Sequence, residues 1–174
     1  MSLLHLIALL LALHVALSDL HARRVSNRAL LVALCAGAIA LGTPWTGLPV
    51  SAALIGGLLG LAALLPFHLL GWMGAGDVKF FAILGFLLGW QSLLPIWVLA
   101  SLLAGIHAVA ILLARRVGPP AIASLSHWPP LSTARTWWRQ ASAAREGRRG
   151  APYAAFLSVG TGVLLLVPGV FDHG

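Results

Sequence analysis

The chain has 174 residues, of which 60% are hydrophobic and 9% charged, and a formal net charge of +7; its mean hydropathy is +0.96. That composition excludes an ordinary soluble globular domain, and the basic charges form short clusters between apolar runs rather than a nucleic-acid-binding face. Cys35 is the single cysteine and no His-Glu-x-x-His occurs, so neither a disulfide framework, a cysteine-based zinc site nor a zincin helix is expected, and no cofactor is implied.

Uncharged stretches cover residues 29–76, 80–114 and 151–171. A bilayer core of roughly 30 Å takes about 20 apolar helical residues. An all-α, polytopic membrane protein is therefore predicted: one domain over 1–174, with the lipid bilayer as its surroundings. Six spans are expected, near residues 2–18, 29–43, 48–70, 78–92, 95–114 and 152–170. The first has the length of a signal-peptide core, but the first basic residue, Arg23, follows it instead of preceding it. That order favours a retained span. The run Gly42 to Pro49 is dense in breakers and reads as a turn, as does the break from Gly89 to Pro95. Residues 115–150 form a basic loop in which Trp128, Trp137 and Trp138 lie among arginines, a composition suited to the headgroup region. Gly56 with Gly60, and Gly85 with Gly89, have the spacing that lets membrane helices approach closely.

All eleven Lys and Arg fall in alternate loops: after the first span, after the third, and after the fifth. The positive-inside rule then places those loops in the cytoplasm and both termini outside. Only four acidic residues occur, Asp19, Asp77, Glu146 and Asp172. Asp19 and Asp77 each sit where an apolar run meets a cytoplasmic loop. A carboxylate at a membrane edge is costly without a partner or a function. Two on the same side suggest a catalytic pair, one ionised as general base and one protonated to polarise a carbonyl. The plainer reading of Asp19 is an ion pair with Arg23, and that of Gly74-Ala75-Gly76-Asp77 is a glycine turn. Gly74 and Gly76 are expected to open the backbone beside Asp77. Lys79 reads first as a topology-setting charge and second as a group orienting an acid.

The segment Asp19 to Asn27, the segment Gly74 to Gly85, and the segment Pro152 to Gly160 together resemble the three motifs of the type IV leader peptidases, or prepilin peptidases. Ser26 stands where that family usually has proline. The resemblance implies an aspartic membrane endopeptidase with Asp19 and Asp77 as the catalytic residues, and Arg23, Arg24 and Asn27 shaping the loop beside Asp19. It implies a prepilin or pseudopilin substrate, with a basic leader followed by an apolar helix, cut at the cytoplasmic face of a bacterial inner membrane. The chain is similar to the short, peptidase-only members that serve Flp/Tad-type pili. The alternatives are a preflagellin or other GxGD-type intramembrane protease, or a membrane transporter or scaffold whose aspartates bind a cation.

The expected topology is open to labelling. With Cys35 replaced, a single cysteine at Ser142 should react with a membrane-impermeant reagent only from the cytoplasmic side, and one at Thr46 only from outside. The reverse pattern would put both acids on the wrong face.

Overall fold

The computed structural model describes residues 2–22, 25–43, 46–116 and 153–166. They belong to two compact units, one comprising Met1–Ala104 with Pro152–Gly174, the other Gly105–Ala151. Every regular element among the described residues is helical, as the composition predicts. The first unit holds α1 (Leu3–Ala22), α2 (Asn27–Leu41), α3 (Val50–Leu69), α4 (Ala75–Leu88), a short 3-10 turn (Trp90–Ser92), the first half of α5 (Leu93–Arg116) and α6 (Tyr153–Leu166). The described part of the second unit is the remainder of α5; the rest of the predicted basic loop 115–150 lies outside the described residues.

Two boundaries differ from expectation in ways that matter. α1 continues to Ala22, so Asp19 lies inside its last turn and not in a loop. Hydropathy ends at residue 18, but Asp19-Leu20-His21-Ala22 contains no helix breaker. α4 begins at Ala75, three residues before the predicted fourth span, which brings Asp77 into its first turn. An acidic residue there meets the positive end of the helix dipole.

The turn from α3 into α4 is built by local hydrogen bonds. Gly71 has φ +75, open to glycine at little cost. Its N–H donates to the His68 carbonyl, and the Trp72 N–H donates to the Phe67 carbonyl, both at 2.9 Å. This is the Schellman arrangement for ending a helix. Its accompanying apolar contact is present as Phe67 against Trp72, with ring centroids 6.1 Å apart. A 3.0 Å hydrogen bond between His68 Nδ1 and the Met73 carbonyl ties down the next residue. Gly74, extended at ψ 144, then starts α4.

α4 is the central helix. It packs against α1, α2, α3 and α6, and Val78, Phe80, Phe81, Ile83, Leu84, Gly85 and Leu87 are buried along it. A helix apolar on all sides belongs inside a bundle. Its closest neighbour is α3. A Cβ on Gly56 would fall 2.1 Å from the Gly85 carbonyl oxygen, and a Cβ on Gly60 2.9 Å from that of Phe81. The two backbones are thus nearly in contact and run antiparallel. Gly89 takes no part in such packing, contrary to the spacing argument. It has φ +82 and ends α4. α6 packs on α5 through Gly160, where a Cβ would lie 3.1 Å from the Ile96 carbonyl oxygen.

Two helical stretches, Val50–Leu69 and Trp90–Leu113, are long and apolar enough to cross a membrane. Exposed leucines such as Leu10, Leu13, Leu17, Leu54, Leu58 and Leu102 cover the outside of the helices, where a soluble protein would carry polar groups.

The α3–α4 contact predicts a contrast between glycines. Gly56→Ala and Gly85→Ala force backbone apart and should each lower the thermal unfolding midpoint in detergent, by the equivalent of about 1–3 kcal/mol. Gly162→Ala, which meets nothing within 4 Å, should leave it unchanged or raise it, since alanine favours helix by about 1 kcal/mol over glycine. Equal effects at all three sites would refute the close approach.

Candidate active site

α1 buries one stripe: Leu4, Ala8, Leu11, Ala12, Val15 and then Asp19. The spacing is that of a helix face, three to four residues per step. Asp19 therefore continues an apolar seam into the bundle and is itself only 7% exposed. Its Oδ2 accepts a hydrogen bond from the Ala155 N–H at 3.0 Å.

Asp77 occupies the third position of α4. Gly74, the residue capping that helix, has no side chain to offer its first-turn N–H groups. The Asp77 carboxyl folds back instead, toward the Gly74 backbone N–H, which is one half of a capping box. A Cβ on Gly74 would lie 3.3 Å from Asp77 Oδ2, so glycine leaves the carboxyl room to turn.

The two carboxyls, 58 positions apart in sequence (77 − 19), meet at the start of α6. The backbone of Ala154 bonds Asp77 and that of Ala155 bonds Asp19. These are first-turn N–H groups with no acceptor inside their own helix. Asp77 lies just before the predicted fourth span. Burial first, and the neighbouring Asp19 charge second, push its pKa up from 3.8 to about 6, against the opposing pull of the Gly74 and Ala154 backbone. Such a pair holds one proton between two carboxyls over a range of pH, and the values belong to the pair.

Tyr153, the chain's one tyrosine, stands beside the pair. Its hydroxyl lies 3.1 Å from Ser101 Oγ of α5, and its ring is within electrostatic range of Asp77. Tyr153 falls inside the Pro152 to Gly160 segment, where its being the single tyrosine is the one sequence signal for it. The Ala154 and Ala155 N–H groups had none, because every residue but proline carries one.

The supporting residues divide. Gly76 is not an opened segment of backbone: it sits inside α4, and a Cβ there would lie 3.0 Å from Val25 Cβ. Its glycine makes space for a side chain from the α1–α2 connection. Lys79 Nζ donates to Asn27 Oδ1 at a long 3.5 Å, in an exposed position. Arg23 and Arg24 lie outside the described residues. Among the described residues, no group of three or more His, Cys, Asp or Glu converges to hold a metal ion.

A family model described as the type IV leader peptidase family matches residues 6–109, which include Asp19 and the whole of Gly74 to Lys79 and stop short of α6. No curated relative and no solved structure matches the chain.

The Asp77 shift has a consequence for stability. Its folded pKa, about 6, exceeds the ordinary 3.8. The folded state thus holds this proton more tightly, and the resulting stability is complete at low pH and is lost as pH rises through about 6. Asp77→Asn removes that loss. Its thermal midpoint in detergent should exceed that of the unsubstituted protein at pH 8, with the gap closing toward pH 4. A gap independent of pH would contradict the shift.

Proposed function

The chain belongs to the type IV leader peptidase family, and on that premise we propose that it is an aspartic endopeptidase in which Asp19 and Asp77 form the catalytic pair. The family makes it a protease. The observation that carries the finer reading is the convergence of two carboxyls, from α1 and α4, on consecutive N–H groups of α6. Structural ion pairs do not join like charges; sharing one proton is what such a pair is suited to.

In this reading the proton rests on Asp77, the carboxyl that burial and the Asp19 charge hold up at about 6, and Asp19 is ionised, steadied by the Ala155 N–H. Asp19 takes a proton from water as its oxygen bonds to the scissile carbonyl carbon. Asp77 gives its proton to the carbonyl oxygen. When the C–N bond breaks, the amine takes the proton from Asp19, and the collapsing hydroxyl returns one to Asp77. No cofactor enters. The substrate is a prepilin or pseudopilin whose basic leader lies at the cytoplasmic face of the inner membrane, with its apolar helix in the bilayer. The protein acts as a multi-pass enzyme with both termini outside. Leader binding by Arg23 and Arg24 is disfavoured, since like charges repel; in this reading they and Asn27 shape the loop beside Asp19, and Lys79 is a topology-setting charge.

The test is cleavage of a glycine-ended leader by purified protein in lipid or detergent. Asp19→Asn and Asp77→Asn should each lower the rate by about a thousandfold or more, and the double variant should be no worse than either, because members of one catalytic unit are not additive. Near-normal cleavage by a well-expressed Asp77→Asn protein would overturn the assignment.

A further inference from the structure

An apolar groove with a volume of about 720 Å³ lies between α3 and the start of α5, over Phe81 of α4. Leu59, Ala63 and Phe67 form one wall, Leu94 and Trp97 the other, and Phe81 lies at its floor. Trp90 and Gln91, just past the end of α4, close the far end, and Gln91 is the one polar side chain in the lining. Leu59, Leu94 and Trp97 are exposed, so the groove opens to the outside of the helices.

Two separate routes place its near end about one helical turn from the Asp77 end of the carboxyl pair. Phe81 follows Asp77 by four residues in α4, which puts the two on one face a single turn apart. Trp97 precedes Ser101 by four residues in α5, and Ser101 meets the hydroxyl of Tyr153, which lies beside Asp77. Along α3, from Phe67 to Leu59, the groove follows eight residues, or about 12 Å of helix rise.

We propose that this groove seats the first turns of the apolar helix that follows the scissile bond of the substrate. The inference rests on the peptidase reading. Inside hydrocarbon, apolar surfaces gain nothing merely by meeting each other, and a partner is selected by packing. A concave channel with walls of Leu, Phe and Trp fits a rigid helix better than mobile acyl chains. Its length accommodates about two helical turns at 1.5 Å per residue. No charged side chain lines it, so a basic leader is kept out of the groove and the apolar segment is accepted. That fixes which side of the cut bond lies toward the far end of α4.

The experiment is photo-crosslinking in proteoliposomes holding a prepilin. A photoreactive benzoylphenylalanine replaces Leu94, which is 72% exposed and lines the groove, or Leu58, which is 68% exposed and does not. Position 94 should crosslink to the first ten or so residues after the cleavage site, and position 58 should not. Ala63→Trp, filling the groove, should cut that adduct and lower kcat/KM by about tenfold, mainly through KM. Equal adducts from both positions, adducts with lipid alone, or unchanged kcat/KM in Ala63→Trp would overturn the proposal. Cleavage by the unsubstituted protein is scored in the same samples and reports on the peptidase reading separately: adducts at 94 without cleavage would spare the groove and refute the protease chemistry.

Discussion

Two carboxyls crowded into one poorly hydrated space repel each other and lose hydration, and something must offset both costs. Here the first turn of α6 does so. Its Ala154 and Ala155 N–H groups face the pair and, as the first N–H groups of a helix, have no acceptor of their own. Each element thus resolves the other's difficulty: a buried helix end needs acceptors, and buried carboxyls need donors. The positive end of the α6 dipole acts in the same sense. The contacts of α6 with both α1 and α4 follow from this arrangement, and the site exists only when three segments far apart in sequence have docked. The offset is incomplete, since Asp77 still sits at about 6.

The position of Asp77 is set from both ends of α4. At the start, Gly71, the Phe67–Trp72 contact and the His68–Met73 hydrogen bond turn the chain and deliver Gly74 as the first capping residue. At the finish, Gly89 with φ +82 stops the helix. Between them Gly56 and Gly85 hold the α3 and α4 backbones together, so α4 cannot slide along α3 without driving side chains or carbonyls into each other. α4 has 14 residues, a rise of about 21 Å, shorter than the roughly 30 Å of a bilayer core. A short helix locked in register has its first turn, and with it Asp77, at a fixed height in the bundle.

Much of this was legible in the sequence. The helical class followed from apolar runs too long and too free of charge for anything else, and the family match followed the Asp19 and Gly74–Lys79 segments that the charge pattern had singled out. What escaped was which way things face. α1 is apolar nearly all round, so its buried stripe from Leu4 to Asp19 could not be told from its exposed face of Leu10, Leu13 and Leu17 by hydropathy. The Schellman signature is present in the sequence as Gly71 after an apolar helix, with Phe67 and Trp72 at the contact positions. Gly85 and Gly89 share a helix-packing spacing, yet only Gly85 meets the α3 backbone; Gly89, which opens the break that the sequence marks, ends α4 at φ +82. The donors from α6 are backbone groups and leave no trace in residue types.

Gly76 shows why the same residue can be required for a reason other than the one its identity suggests. Its backbone is helical, so conformational freedom is not what it supplies. What it supplies is absence: Val25 occupies the volume a Cβ would take, with its own Cβ 3.0 Å away from that point. Two residues further on, Asn27 meets Lys79 of α4. The connection that leaves the Asp19 end of α1 is therefore laid against the first turn of α4 at two places, one apolar and one polar. A methyl group at position 76 would push Val25 outward, and with it the chain six residues beyond Asp19. Where two groups must act on one bond a misplacement of about 1 Å is costly, so on the proposed role of Asp19 and Asp77 the space beside Gly76 matters for how the start of α4 is seated, though no atom of Gly76 or Val25 need touch the substrate.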